Sequence, residues 1–205
     1  DLRIQPEDTI VPGGRKSRIN ANIRAIRLLR ELGDKAATPA QKRVLVQFSG
    51  WGDTFQVFGD VDLGGNRNAG DIFLSEQNNR KPYLWGDAET KYNNWKRDYG
   101  ETFKALNPKL GGLMTEAEFQ SAKESSLNAH YTSREIINRI WSLVERFGFK
   151  GGKAIEPSAG IGHFIGLAPD SVAAKTNWVG VELDSMTGAL LKKLYPQQDI
   201  QITGF

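Results

Sequence analysis

Two carboxylates and two glycines stand where a strand and its following loop could hold a small ligand. Residues 153–164 read KAIEPSAGIGHF: a short apolar run, Glu156, and then Gly160 and Gly162 around a single residue. A second acid, Glu182, lies near the end of NWVGVELD at 177–184. Glycines after a strand let a ligand approach the backbone closely, and an acid at the next strand end can accept from ribose hydroxyls. A triphosphate loop requires Gly-Lys-Ser/Thr at its close. Here Gly162 is followed by His163 and Phe164. The dinucleotide pattern G-x-G-x-x-G is met by the first two glycines and broken at Ile165, with Glu182 at the ribose-acid position. Glycines and Glu182 alone therefore leave a nicotinamide cofactor open. Glu156 argues against it. At the tip of the first strand it would repel a pyrophosphate and favour a ligand bearing an ammonium or sulfonium group. S-adenosyl-L-methionine carries both, and a ribose as well. The plain alternative for Glu156 is a helix cap or a salt bridge.

The elements that must position these residues are legible from 115 onward. TEAE at 115–118 is a capping box opening a helix to about Ser125, and TSRE at 132–135 reads as another. The second opens a helix with Ile136, Ile137, Ile140, Trp141, Val144 and Phe147 on one apolar stripe, stopped by Gly148. Strand 153–156, the glycine turn, helix 161–167, strand 177–184, helix 185–194 and strand 199–203 follow. Strands alternating with helices predict a parallel α/β sheet, and three strands make an incomplete one.

The first part of the chain is different. Residues 16–32 space Ile19, Ile23, Ile26 and Leu29 as a helix ending at Gly33, crowded by Arg15, Lys16, Arg18, Arg24, Arg27 and Arg30. These cations are either a solvated face or a face for nucleic-acid phosphates. TPAQKRVLVQF begins a second helix, with Thr38 as N-cap and Pro39 in the first helical position. Residues 53–112 lack a sustained period but are rich in aromatics, which predicts short helices, one near 88–104, and packed loops. Those aromatics could stack on bases but read better as the core of an irregular subdomain. The expected division is a mainly helical, loop-rich subdomain at 1–124 and a sheet domain at 125–205.

Composition narrows the classes. The 205 residues include no cysteine, which excludes disulfides, zinc–thiolate sites and cysteine nucleophiles within the chain. Two histidines, His130 and His163, do not make a metal cluster and read as polar neighbours of the cleft. No apolar run approaches a membrane span. The net charge of +3 is compatible with a polyanion partner. The abrupt start at Asp1 and the ending ITGF suggest a fragment.

Three stretches carry a resemblance. Asn128-Ala-His-Tyr-Thr-Ser133, Glu156-Pro-Ser-Ala-Gly-Ile-Gly-His-Phe164 and Gly180-Val-Glu-Leu-Asp184 resemble, in order and spacing, successive motifs of adenine-specific (N6) DNA methyltransferases. The basic helix, the TPAQ helix, GWGD and SSLNAHYT are similar to the start of the large methylase–helicase proteins of phages and conjugative elements, the DarB-like antirestriction group. The likeness covers nearly the whole chain and is softest over 53–112. It implies a Rossmann-like class I methyltransferase sheet, S-adenosyl-L-methionine as cofactor, and DNA as partner. On the matching positions it implies Tyr131 and Thr132 over the methionine end, Glu156 on its ammonium side, and Pro157, Ala159, Gly160, Gly162 and Phe164 as the loop. Glu182 would take the ribose and Leu183 the adenine face. Arg15, Lys16, Arg18, Arg24 and Arg27 would meet DNA. Ser133 replaces the proline of many relatives, and Gly204-Phe205 stands where an acid often meets the adenine. The catalytic Asp/Asn/Ser-Pro-Pro-aromatic tetrapeptide does not occur in the chain. The expectation is the N-terminal part of such an enzyme, inactive by itself, with further methyltransferase and helicase segments as partners. It would be cytoplasmic, or virion-packaged if of phage origin. Rival expectations are a non-catalytic DNA-binding or assembly module that keeps the fold, and a methyltransferase acting on protein glutamine or RNA.

Overall fold

In a computed structural model of the chain, the described residues are 1–80, 82–126 and 131–204. Their elements run in the order α1 (Arg15–Leu32), α2 (Pro39–Leu45), β1 (Asp62–Gly64), β2 (Arg67–Asn68), α3 (Ala69–Gln77), α4 (Gly86–Leu106) and α5 (Glu116–Ser125). Then come α6 (Arg134–Arg146), β3 (Gly152–Glu156), α7 (His163–Gly166), α8 (Asp170–Ala173), β4 (Thr176–Glu182), α9 (Ser185–Leu194) and β5 (Asp199–Ile202). Two compact units form: Asp1–Gly50 with Ala129–Phe205, and Trp51–Asn128.

The first unit is mixed α/β and contains a parallel sheet in the order β3-β4-β5. Ile155 pairs in register with Val179, and Gly180 with Ile200. Helix α9 covers β4 and β5 and is capped by Asp184, whose carboxylate accepts from the Thr187 N–H at 2.8 Å. Its Met186, Leu190, Leu191 and Leu194 are fully buried. Helices α1 and α2 pack on each other and on α9 through Ile19, Ile26, Leu29 and Leu45.

Residues 1–50, expected within a separate subdomain at 1–124, group with the sheet. The Leu2 N–H donates to the Leu194 carbonyl at 2.9 Å and the Ile4 N–H to Gly166 at 3.0 Å. Arg3 donates to the Ile165 and Ala168 carbonyls, and Arg134 to those of Gln5 and Asp8. These bonds tie the N-terminal strap across α7. Nothing local in the sequence announces them.

Four local expectations change. The helix predicted at 161–167 is only the single turn of α7, because Gly160 and Gly162 take positive φ and keep the chain in a turn. Helix α2 ends at Leu45 rather than continuing through VQF. The cap of α6 is Ser133, accepting from the Ile136 N–H, instead of a box on Thr132. The single apolar stripe predicted for that helix divides: Ile137 and Trp141 are buried, whereas Ile136, Ile140 and Phe147 are exposed.

In the second unit, the aromatics form a core. Phe103 meets Phe73, Trp95 and Phe119 edge-on at centroid distances of 5.7, 5.5 and 6.0 Å. The Trp95 indole N–H donates to the Gln56 carbonyl at 2.7 Å, which ties α4 to the turn at 55–58. The β1–β2 hairpin was not expected from the sequence. Its signal is Gly64-Gly65-Asn66, three residues of positive φ in one turn. This unit holds more acids than bases, so the chain's positive excess resides in the sheet unit. No helix among the described residues is long and apolar enough to cross a membrane.

Candidate functional site

The loop between β3 and α7 is shaped by hydrogen bonds to β4. The Ala159 N–H donates to the Val181 carbonyl at 2.9 Å, and the Gly162 N–H turns back to Ala159 at 2.8 Å. Glu182 accepts from the Gly160 N–H at 2.8 Å through one carboxylate oxygen and from the Asp184 N–H at 2.9 Å through the other. The acid expected to hold a ribose thus also fastens the loop. Burial raises the Glu182 pKa above the usual carboxylate range, against the lowering effect of these backbone donors.

The two glycines serve different ends. A Cβ on Gly160 would lie 3.1 Å from Tyr131 Cε1, so that side chain lies against the loop. A Cβ on Gly162 would lie 2.5 Å from Tyr195 Cε2 and 2.7 Å from Leu191 Cδ1. The Tyr195 hydroxyl donates to the Gly162 carbonyl at 2.8 Å. Gly162 is therefore required by α9 packing, and Gly160 by the approach of Tyr131. Sequence reasoning missed Tyr195, which comes 33 residues after Gly162 with no motif of its own.

Tyr131 brings the third motif to the loop. Its ring meets His163 at a centroid distance of 5.6 Å, and its phenol is within hydrogen-bonding reach of Thr187. Burial, followed by the Glu182 and Asp184 carboxylates, pushes the phenol pKa upward. His163 is 5% exposed, and neither ring nitrogen has a hydrogen bond of good geometry among the described residues. Burial lowers its pKa to about 4, opposed by the Val46 backbone, so the ring is neutral near pH 7. Among the described residues no group of three side chains that could hold a metal ion forms.

Glu156 stands at the end of β3, half-buried, with no hydrogen bond or ion pair among the described residues. The cap or salt bridge that would make it an ordinary structural acid is not formed there. Burial alone raises its pKa. A half-buried carboxylate without a partner is costly, and a cationic ligand would offset that cost.

Of the remaining expected residues, Ala159 is buried, and Thr132 and Phe164 are half-buried. The Phe164 carbonyl accepts the Trp141 indole N–H at 3.1 Å. Pro157 is exposed, as is Leu183 at 71%. His130, Asn128 and Phe205 lie outside the described residues. Arg15, Lys16, Arg24 and Arg27 are exposed on α1 and Arg18 is half-buried, all remote in sequence from the loop. The N-cap of α1 is Gly14, without a side-chain cap, and its first turn has no acid. Three cations in that turn oppose the helix dipole.

The chain is 30% identical over 80 residues to the "Defense against restriction protein B" of Escherichia phage P1. That stretch is 39% of this chain and 3% of the phage protein, so the chain spans only a small part of the relative it matches. No protein-family model matches the chain, and no solved structure matches it. The similarity is distant and partial, and it ties the chain to a phage antirestriction protein.

Proposed function

We propose that the chain is the first part of an S-adenosyl-L-methionine-dependent DNA adenine-N6 methyltransferase of a phage or mobile element. Glu156, half-buried and without a side-chain partner among the described residues, carries this reading. A Rossmann-like class I sheet fits the parallel order β3-β4-β5, with the glycine loop at the carboxyl end of its first strand. Glu156 would bind the ammonium of the cofactor and Glu182 the ribose hydroxyls. Gly160 permits the close approach, with Tyr131 and Thr132 covering the methionine end and Leu183 offered to the adenine. When bound, the cofactor supplies an electrophilic methyl on a sulfonium. This chain's residues hold and orient it, and positioning of this kind contributes much of a transfer rate. The groups that would receive an extruded adenine belong to a Pro-Pro motif absent from this sequence, and so to further chain.

DNA as partner is supported by α1. Lys16, Arg24 and Arg27 are exposed on this helix, and phosphates would complement their charge. The same face would serve a non-catalytic DNA-binding module. Calorimetric titration of S-adenosyl-L-methionine into a polypeptide carrying the complete sheet separates the two. Binding that weakens at least about tenfold in Glu156→Gln, one lost charge-assisted contact, supports the enzyme. No binding at millimolar cofactor sinks it.

A further inference from the structure

A cavity of about 590 Å³ lies in the first unit, between the connection joining α1 to α2 and the last turns of α9. Its volume falls within the roughly 300–1,000 Å³ of small-molecule sites. None of the residues assigned above to the cofactor lines it. Two chemistries meet there. The apolar lining is built of the short side chains Ala36, Ala37, Ala189 and Pro196, with Ile202 at the end of β5. Four cations share the cavity, Arg30, Lys42, Lys192 and Lys193, against the single acid Asp34.

The bonds made by the lysines leave their charge standing. Lys42 Nζ donates to the Leu194 carbonyl at 3.1 Å, and Lys193 Nζ to the Lys35 carbonyl at 2.9 Å. These bonds tie α2 and the α1–α2 connection to α9, so the walls are braced without a ligand. Among the described residues no carboxylate pairs with Lys42, Lys192 or Lys193. An ammonium has three donors, so one that braces a wall can still bind an anion. Helix dipoles favour each cation in its own last turn. They do not account for three such turns converging on one apolar-lined cavity.

We propose that this cavity binds a nucleoside phosphate, either a free nucleotide or one unit of a nucleic-acid strand. Its phosphate meets Lys192, Lys42 and Arg30, and its planar base lies over the alanines and Pro196. An inorganic anion would leave the apolar lining in water, and a neutral ring would leave the cations unmatched. A second groove, between α1 and α2, is lined by Arg24, Arg27 and Leu28 and would take the neighbouring phosphates of a strand. The site shares no residue with Glu156 or the glycine loop, so it stands whether or not S-adenosyl-L-methionine is the cofactor.

Calorimetric titration of the full natural polypeptide tests it, with millimolar S-adenosyl-L-methionine present to occupy the loop site. The probes are adenosine monophosphate, adenosine, inorganic phosphate, octyl phosphate and a short single-stranded oligodeoxynucleotide. Adenosine monophosphate should bind at least about tenfold more tightly than adenosine or inorganic phosphate, the worth of one charge-assisted contact. Lys192→Glu reverses an exposed charge, and Ala189→Leu fills the lining from mid-helix. Each should weaken that binding at least about tenfold, with melting temperature unchanged in Lys192→Glu, and Lys192→Arg should retain it. A strand as the source shows as tighter binding of the oligonucleotide, lost in Arg24→Glu/Arg27→Glu. A free nucleotide as the source shows as the reverse order, with no effect of that pair. Inorganic phosphate binding as well as the nucleotide reduces the cavity to a charged patch and overturns the proposal. Octyl phosphate binding more tightly than the nucleotide also overturns it, as does an affinity unchanged in both Lys192→Glu and Ala189→Leu. Nucleotide binding that follows these variants in a protein that takes up no S-adenosyl-L-methionine keeps this site and removes the proposed enzyme.

Discussion

Replacing each loop glycine by alanine should separate packing from ligand access. Both residues hold positive φ, 54° at Gly160 and 77° at Gly162, and a side chain in the left-handed region costs about 1–2 kcal/mol. At Gly162 the new methyl also falls 2.5 Å from Tyr195 Cε2 and 2.7 Å from Leu191 Cδ1, both on fully buried side chains. Overpacking of that kind adds about 1–3 kcal/mol. Gly162→Ala should therefore lose about 2–5 kcal/mol, a large share of the about 5–15 kcal/mol that stabilises a typical domain. At Gly160 the methyl meets only the edge of Tyr131 at 3.1 Å, and that ring can shift. Gly160→Ala should lose about 1–2 kcal/mol and chiefly disturb the covering of the loop. Urea denaturation measures both. In a Tyr195→Ala background the overpacking part of the Gly162→Ala cost should shrink, leaving the backbone part and the Leu191 contact. If Gly162→Ala costs no more than Gly160→Ala, or costs the same with and without the Tyr195 ring, the assignment of Gly162 to packing is wrong.

Three further outcomes follow from the charges. His163 has a folded pKa near 4, below its ordinary value of 6.5, so the unfolded chain takes up the proton first. Stability should fall by up to about 1.4 kcal/mol per pH unit as pH drops from about 6.5 to 4, and His163→Leu should flatten the slope in urea titrations. Glu156 runs the other way. Its folded pKa is raised, so its contribution is favourable while protonated and declines as pH rises through the unfolded and then the folded value. Glu156→Gln should be neutral to stabilising near pH 7 by thermal melting, and a clear destabilisation would show an unseen cationic partner. Glu182→Ala orphans the Gly160 and Asp184 N–H groups and should cost about 1–3 kcal/mol in denaturant, with Glu182→Gln milder because one acceptor oxygen remains.

The sequence by itself determined the features that depend on neighbours a few residues apart. The caps at Thr38 and Thr115 hold their helices as read, since a capping box closes within four residues. The β3-α7-β4-α9-β5 alternation and the turn at Gly160 and Gly162 were equally local, because turns and strand periods are set by backbone preference. Only the tertiary structure decided which partners those elements met. The strap at Leu2 and Ile4 reaches residues more than 160 positions away, Gly162 is constrained by Tyr195, and the α6 stripe is split between buried Trp141 and exposed Phe147. None of these leaves a periodic trace, because burial of a given side chain depends on what the fold lays over it. Glu156 shows both sides of the division. Its place at a strand tip was legible in the chain, but its half-burial without a side-chain partner among the described residues, which gives it chemical meaning, arises only in the folded sheet unit.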